Sequence, residues 1–172
     1  MLKATEGIME TPTIAKIEKI VDEADGIRTI FIKHNMEAKP GQFVMIWIPR
    51  LDEKPFAISY LENNRLGITV SSVGNFSNKL YDMKEGDKIG IRGPYGRSYT
   101  LEGKKLVMVG GGYGSASLTL LTEEALKKNM EVKFILGARS SNKLVYVDRI
   151  KQLIGDDNLI ITTDDGSNGK KG

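Results

Sequence analysis

The residues with the clearest chemical use are Gly110-Gly111-Gly112-Tyr113-Gly114. They follow an apolar strand pattern at residues 105–109 and precede a helical pattern at residues 115–129. Glycines at such a strand-to-helix turn let backbone N–H groups approach a phosphate, whose charge the helix N-terminus favours. We therefore predict that Gly110, Gly111, Gly112 and Gly114 bind a dinucleotide. The alternative is a tight turn without a ligand.

The glycine cluster departs from the G-x-G-x-x-G spacing of a standard dinucleotide-binding turn. No Asp or Glu ends the second strand pattern, where an acid that binds ribose is expected, and Gly137-Ala138-Arg139 stands there instead. Arg139 could bind a 2′-phosphate, or it could be a solvated loop charge.

Three further motifs precede the glycine cluster: Lys54-Pro55-Phe56-Ala57-Ile58-Ser59, Gly74-Asn75-Phe76-Ser77 and Gly93-Pro94-Tyr95-Gly96. The first is typical of an edge strand opened by a proline, with a cation beside an aromatic ring. The second opens a short helix and offers N–H groups and a hydroxyl to an anion. Singly each motif has a plain structural explanation, but together they favour a site for a phosphorylated ligand.

Composition excludes several chemistries. The 172 residues include no cysteine and one histidine, His34, so thiolate catalysis, disulfides, iron–sulfur clusters held by Cys and multi-His metal sites are excluded within the chain. The net charge is only +3 and no run of Lys or Arg is long enough to form a nucleic-acid footprint, which argues against nucleic acid as a partner. The apolar runs are too short to span a membrane and no signal-peptide pattern is present, so we expect a cytoplasmic protein. We assign no catalytic side chain and no metal ligand.

The spacing of apolar residues predicts two domains, 1–101 and 102–172. In the first, segments rich in Ile, Val, Phe and Thr predict a small closed antiparallel β-barrel with strands at residues 14–21, 27–33, 43–48, 56–60, 66–73 and 88–92, and a helix at 75–83. In the second, strands at 105–109, 132–136 and 159–163 alternate with helices at 115–129 and 142–153. This β-α-β-α-β order predicts half of a doubly wound parallel sheet.

The order of the motifs, from about residue 13 to residue 172, resembles the ferredoxin–NADP reductase superfamily. Within it the chain is most similar to the electron-transfer subunits of class 1B, NAD-dependent dihydroorotate dehydrogenase. Two later motifs contribute to this resemblance, Leu-Gly-Ala-Arg-Ser at 136–140 and Thr-Asp-Asp-Gly-Ser-Asn-Gly at 163–169. The resemblance implies that domain 1–101 binds FAD and that domain 102–172 is a partial NAD(P)-binding domain.

The resemblance also implies roles for residues of the barrel. Lys54 takes the place of an Arg that binds the flavin phosphate, and it supplies a point charge rather than a bidentate fork. Pro55 follows it, and Phe56 packs against the isoalloxazine. Ala57 falls where the family has a Ser or Thr that bonds flavin N5, so that bond would come from backbone groups, or from Ser59 in a shifted register.

Further roles follow from the same resemblance for the rest of the site. Thr69, Val70 and Ser71 match the strand beside the flavin, and Gly74, Phe76 and Ser77 match the turn that binds the pyrophosphate. Gly112 and Gly114 match the turn under the nicotinamide, where Ser117 replaces the family's proline. Arg139 and Asp164 lie in segments near the adenosine end.

The implied function is electron transfer between NAD(P)H and a partner redox protein through FAD, the partner being the catalytic dehydrogenase subunit of pyrimidine biosynthesis or another redox protein. The alternatives are a flavin subunit of a hydrogenase or sulfide reductase, a flavin-binding module without hydride transfer, and a plain interaction protein. The Arg-to-Lys, Ser-to-Ala and Pro-to-Ser changes favour the module.

Relative to the subunits that it resembles, the sequence stops before two further strands and the cysteine-rich segment that holds a 2Fe–2S cluster. We therefore expect an incomplete nucleotide domain in which the strand at 105–109 has an open, apolar edge. Such an edge predicts self-association or pairing with another chain, and hence an oligomer.

Overall fold

The computed structural model describes residues 11–62 and 64–172. Residues 1–10, which the predicted domain 1–101 includes, lie outside the described part. The strands are β1 Thr13–Ala24, β2 Ile27–Lys33, β3 Phe43–Ile48, β4 Asp52–Glu62, β5 Arg65–Ser71, β6 Lys88–Tyr95, β7 Lys105–Gly111, β8 Glu131–Ala138, β9 Leu159–Thr163 and β10 Lys170–Lys171. The α-helices are α1 Asn75–Tyr81, α2 Ala116–Lys127 and α3 Val147–Ile154.

The first six strands form a closed antiparallel barrel in the order β1-β2-β5-β4-β3-β6. Alternate residues of each strand point inward, as Val44, Ile46 and Ile48 of β3 do, and α1 closes the core with Phe76 and Leu80. The predicted barrel is confirmed, and the bounds of β2 and β3 agree with those predicted from the sequence.

β4 begins four residues earlier than the sequence predicts, at Asp52. Its first half pairs with β3 only, with Pro55 opposite Met45, and its pairing with β5 begins at Ile58. A proline is tolerated there because one side of the strand has no neighbour that needs its N–H. The first half of β4 thus lacks a β5 partner within the closed barrel.

The remaining strands form a parallel sheet in the order β10-β9-β8-β7. α2 and α3 pack against one face, where Met108, Phe134 and Leu136 are buried. The parallel sheet with helices is confirmed. β10, of two lysines, was not predicted, because it carries no apolar signal.

α3 begins at Val147, five residues later than predicted. A short 3-10 turn occupies Ser141–Lys143, and Tyr146 then takes a left-handed conformation with φ 59° and ψ 21°. A left-handed residue interrupts the helical path, so the helix cannot extend back through Tyr146. The connection between β6 and β7 contains the predicted boundary between residues 101 and 102.

β7 lies at one side of the sheet, and no described strand pairs with its outer edge. Val107 and Val109 are 61% and 71% exposed. The expected open, apolar edge at 105–109 is thus present in the described residues. Within the same residues, no helix is long and apolar enough to cross a bilayer.

Candidate functional site

A cleft of about 390 Å³ lies between the start of β4 and the start of α1, and we call it the β4–α1 cleft. Its walls combine the start of β4 with the start of α1, and the lining residues are Leu51, Asp52, Lys54, Phe56, Gly74, Asn75, Phe76 and Ser77. The rings of Phe56 and Phe76 meet at 6.0 Å between centroids. Two motifs some 20 residues apart in sequence therefore converge on one cleft, which has a cation at its rim and an aromatic wall.

Lys54 shares the cleft with a carboxylate that the sequence analysis did not single out. Lys54 Nζ lies 2.6 Å from Asp52 Oδ2, and both side chains are half exposed. The hydrogen bond from Lys54, together with one from the Glu53 N–H, holds the pKa of Asp52 below its ordinary range. An anion that binds at Lys54 must therefore compete with Asp52.

Ser77 closes the turn before α1. Its hydroxyl accepts hydrogen bonds from the N–H groups of Val73 and Gly74, at 3.2 and 3.0 Å, and donates to Gly74 O at 3.2 Å. The hydroxyl is thus committed to the turn, while the N–H groups of residues 75–77 have no acceptor one turn earlier. A Cβ added at Gly74 would meet no atom within 4 Å, so the space above this glycine is open.

The residues of β5 and the end of the β4 motif face different surroundings. Val70 lies in the barrel core, Ser71 is half-buried, and Ala57 is exposed. Ser59 and Thr69 are buried at the contact between barrel and α/β lobe, where Thr69 Oγ1 donates to Ser59 Oγ at 2.9 Å. The Ser59 and Thr69 hydroxyls are therefore engaged by protein groups.

The glycine turn joins β7 to α2 through a 3-10 turn, Gly112–Ser115, that contacts β5. Only Gly112 among its glycines has a left-handed backbone, with φ 54°. A Cβ at Gly110 would lie 2.6 Å from Ser115 Cβ, so close packing requires glycine there. At Gly111, Gly112 and Gly114 an added Cβ would face open space. The turn thus leaves exposed backbone that a ligand can approach.

Arg139 and Asp164 lie at the same carboxyl edge of the parallel sheet as the glycine turn. The register pairs Gly111 with Gly137 and Gly137 with Thr162, so the three strands end together. Arg139 and Asp164 are both exposed, and the Asp164 N–H donates to Ala138 O at 3.1 Å. The carboxyl edge of a parallel sheet is the usual place for a nucleotide.

The loop after β9 is stiffened by contacts that the sequence analysis missed. Asp165 Oδ1 accepts hydrogen bonds from the Ser167 hydroxyl and N–H, which hold the pKa of Asp165 below its ordinary range. The Ser141 N–H donates to the Ser167 hydroxyl at 2.8 Å and ties this loop to the one after β8. The motif Asp-Gly-Ser was the available signal, because Asp and Ser favour such turns.

Comparison with known proteins gives a consistent set of relatives. The chain is 41% identical over 164 residues to the probable dihydroorotate dehydrogenase B (NAD(+)), electron transfer subunit, of Methanocaldococcus jannaschii, covering 95% of this chain and 61% of the relative. It is 39% identical over 168 residues to the subunit of the same name from Methanothermobacter thermautotrophicus, covering 95% and 62%. The chain thus spans about three fifths of the length of these relatives. No protein-family model matches it.

Solved structures agree with this result. The structure of an NADH-dependent reduced ferredoxin-NADP oxidoreductase superposes with a TM-score of 0.84 at 30% identity, covering 95% of this chain and 61% of that one. Phthalate dioxygenase reductase superposes with a TM-score of 0.80 at 17% identity, covering 90% and 52%, which shows the fold alone. This chain is therefore a homologue of the electron-transfer subunits of dihydroorotate dehydrogenase B, with the barrel and parallel sheet of the ferredoxin reductase-like flavoproteins.

Proposed function

We propose that the chain is the FAD-binding and nicotinamide-facing part of a cytoplasmic electron-transfer flavoprotein, which passes electrons between NAD(P)H and a partner redox protein. Residues 1–101 form the FAD-binding domain and residues 102–172 a partial NAD(P)-binding domain. The single observation that carries the proposal is the convergence of Lys54 and Phe56 with Gly74–Ser77 on one cleft, in a chain with a glycine turn at the carboxyl edge of a parallel sheet.

The β4–α1 cleft offers groups that suit the phosphate and the isoalloxazine of FAD. Lys54 supplies a positive charge, and the N–H groups of residues 75–77, for which the helix itself provides no acceptor, add hydrogen-bond donors for an anion. Phe56 and Phe76 supply an apolar wall, and open space above Gly74 admits a group close to the backbone. Pro55 lies in the first half of β4, which pairs with β3 and not with β5.

The nicotinamide side is formed by the glycine turn and the exposed face of β4 at Ala57. Gly112 and Gly114 leave room for a nicotinamide to approach the backbone, Gly111 also faces open space, and Gly110 packs closely against Ser115. Arg139 and Asp164 are proposed to contact the adenosine end. A bound flavin would accept hydride at N5, while the residues of the chain bind and orient both cofactors and exclude water.

The partner is proposed from the names of the relatives. They are electron transfer subunits, so we propose a catalytic dihydroorotate dehydrogenase subunit, or another redox protein, as the acceptor or donor. Because the chain has no cysteine, it cannot hold an iron–sulfur cluster through thiolates. Electrons would therefore leave FAD for a group outside these 172 residues.

The test is an anaerobic titration of the FAD-reconstituted chain with NADH and, separately, NADPH. We expect yellow protein whose visible absorbance is bleached by one of the two nucleotides, and FAD rather than FMN on chromatography of the released flavin. A chain that cannot be reconstituted with FAD would overturn the proposal.

A second candidate is a flavin-binding module without hydride transfer. Two observations favour it: Ala57 offers no hydroxyl at its exposed position, and Lys54 is already paired with Asp52. Protein that is coloured but not bleached by either nucleotide would support the module. A flavin subunit of a hydrogenase or sulfide reductase differs only in the partner, so reduction of added acceptor proteins separates it from the leading proposal.

A further inference from the structure

A buried set of hydroxyls joins the barrel to the α/β lobe. Tyr146 Oη lies 2.5 Å from Thr29 Oγ1, 3.0 Å from Thr69 Oγ1 and 3.5 Å from Ser59 Oγ. Tyr146 comes from the segment before α3, and its three partners come from β2, β4 and β5. One phenol thus contacts three barrel strands, and hydrogen bonds fix direction as well as distance.

The backbone of Tyr146 is strained, with φ 59° and ψ 21° in a residue that carries a large side chain. Such a conformation persists only where the surrounding structure holds it in place. Tyr146 is 9% exposed, and its hydroxyl cluster supplies those surroundings. The strain therefore coincides with the contact between the two lobes.

Arg149, which lies on α3 three residues after Tyr146, also contacts β4. Its Nη1 lies 3.3 Å from Ser59 O, and its Nη2 lies 2.6 Å from Glu123 Oε1 on α2. The guanidinium also lies over the Tyr60 ring, 4.5 Å from the centroid. A planar fork can reach acceptors on two elements at once, which a lysine ammonium does less well.

These contacts lie between the two halves of the proposed site. Ser59 follows the exposed Ala57 by two residues on β4, within the irregularity between Ile58 and Tyr60. α2, to which Arg149 is tied, begins directly after the glycine turn, and Thr119 Oγ1 of α2 lies 3.3 Å from Ser59 O. Ser59 therefore lies on the strand of the flavin half and contacts the helix that follows the glycine turn.

We propose that Tyr146 and Arg149 are positioning residues, which hold α2, and with it the glycine turn that precedes α2, at a fixed place against the flavin strand β4 through Ser59. The proposal rests on the proposed function where it concerns hydride transfer, but it also predicts a rigid arrangement of the lobes in the chain without cofactors. A polar contact of this kind specifies orientation more strictly than apolar packing, which tolerates sliding.

The first test measures lobe orientation without using activity. Because the chain has no cysteine, Lys88→Cys and Lys127→Cys place two spin labels at unique exposed sites, one on barrel strand β6 and one on α2. We expect one narrow distance distribution by pulsed electron paramagnetic resonance in the parent, and a broadened or shifted one in Tyr146→Phe and Arg149→Met. An unchanged distribution in both variants would overturn the proposal.

Two controls accompany this test. Arg65→Met removes a half-exposed arginine of the barrel that pairs with Glu18 at 3.1 Å, and it should leave the distribution unchanged. Arg149→Lys keeps the positive charge, so its distance distribution should lie between those of the parent and Arg149→Met. This ordering distinguishes loss of the guanidinium contacts from general unfolding. Circular dichroism verifies that each variant is folded.

The second test uses the FAD-loaded chain and whichever of NADH and NADPH reduces it. Since small misplacement of reacting atoms can slow a step by about a hundredfold, we expect Arg149→Met to lower kcat by roughly ten- to a hundredfold with little change in FAD affinity. A change in label distance with an unchanged kcat would overturn the positioning role. If the parent chain is reduced by neither NADH nor NADPH, the proposed function fails, and the label distances still decide whether Tyr146 and Arg149 fix the lobes.

Discussion

Lys54 and Asp52 form an ion pair across the rim of the β4–α1 cleft, with Nζ and Oδ2 2.6 Å apart. The pair places a carboxylate beside the cation that is proposed to bind the flavin phosphate. The phosphate must displace Asp52 from Lys54 or share the ammonium group with it, so Asp52 is expected to weaken the binding of the cofactor that Lys54 attracts.

Substitutions at this pair should therefore change FAD affinity in opposite directions. Lys54→Met should weaken binding by about tenfold, because an exposed charge-assisted bond is lost. Asp52→Asn should strengthen binding, as should Lys54→Arg, whose fork can hold a phosphate at two points. Fluorescence titration of FAD measures each dissociation constant.

The matched control is Lys105→Met on β7. It removes a lysine from an exposed ion pair, 3.0 Å long, with Glu131 on β8. It should leave FAD affinity unchanged. If Lys54→Met binds FAD as tightly as the parent, Lys54 has no part in the cofactor site.

The glycine turn allows binding and folding to be separated by two alanine variants. Gly111→Ala should leave stability unchanged, because its φ of −117° suits alanine and the added Cβ faces open space. It should weaken NADH binding by about tenfold or more if a pyrophosphate approaches this backbone, since direct backbone contact needs a bare Cα. Gly110→Ala should instead lower the free energy of unfolding by about 1–3 kcal/mol, because its Cβ would lie 2.6 Å from Ser115 Cβ.

Urea unfolding gives the free energy of unfolding of each variant, and NADH titration gives its dissociation constant for NADH. Gly111→Ala with parent-like NADH affinity would mean that the glycines serve the turn alone. That outcome corresponds to the alternative weighed from the sequence, a strand-to-helix turn without a ligand.

Much of this architecture could be predicted from the sequence, because it depends on local pattern. The strands Ile27–Lys33, Phe43–Ile48 and Leu159–Thr163 were predicted with their observed bounds, since each is a compact apolar run between turn residues. Glycine spacing placed the turn before α2. The start of β4 was missed because a proline suggests the opening residue of a strand. Here Pro55 lies inside the strand, where β4 has one neighbouring strand.

The contacts that assemble the site were harder to predict. Asp52 is an ordinary loop charge in sequence, and its role depends on the ion pair in the folded chain. Tyr146 and Thr29 are 117 positions apart, and no short motif links them. The left-handed backbone of Tyr146 has no sequence signal either, because tyrosine rarely takes it.

Glu23 should make stability depend on pH. Burial raises its pKa, and this effect outweighs the hydrogen bond from Thr29 and the charge of Arg149, which lower it. The folded chain therefore binds the Glu23 proton more tightly than the unfolded chain. The stabilising contribution is complete at pH values below the ordinary carboxyl pKa and is lost as the pH rises through the raised pKa.

Glu23→Gln removes this titration. Its free energy of unfolding should match that of the parent at low pH and exceed it at neutral pH, as measured by urea unfolding across the pH range. Glu102→Gln, at an exposed position between β6 and β7, is the control, and its free energy of unfolding should not diverge from that of the parent in this way. Equal pH profiles for the parent and Glu23→Gln would contradict the prediction.

The outer edge of β7 should drive self-association. Its N–H and C=O groups have no described partner strand, and the exposed side chains of Val107 and Val109 add apolar surface beside them. Val109→Lys should shift the chain toward monomer in light scattering at high concentration, because pairing of a second chain along this edge would bury the lysine ammonium. Ile14→Lys, which changes a side chain 53% exposed on the closed barrel, should leave association unchanged, since a closed barrel offers no edge. A parent chain that stays monomeric at every concentration would show that the β7 edge does not pair with a second copy.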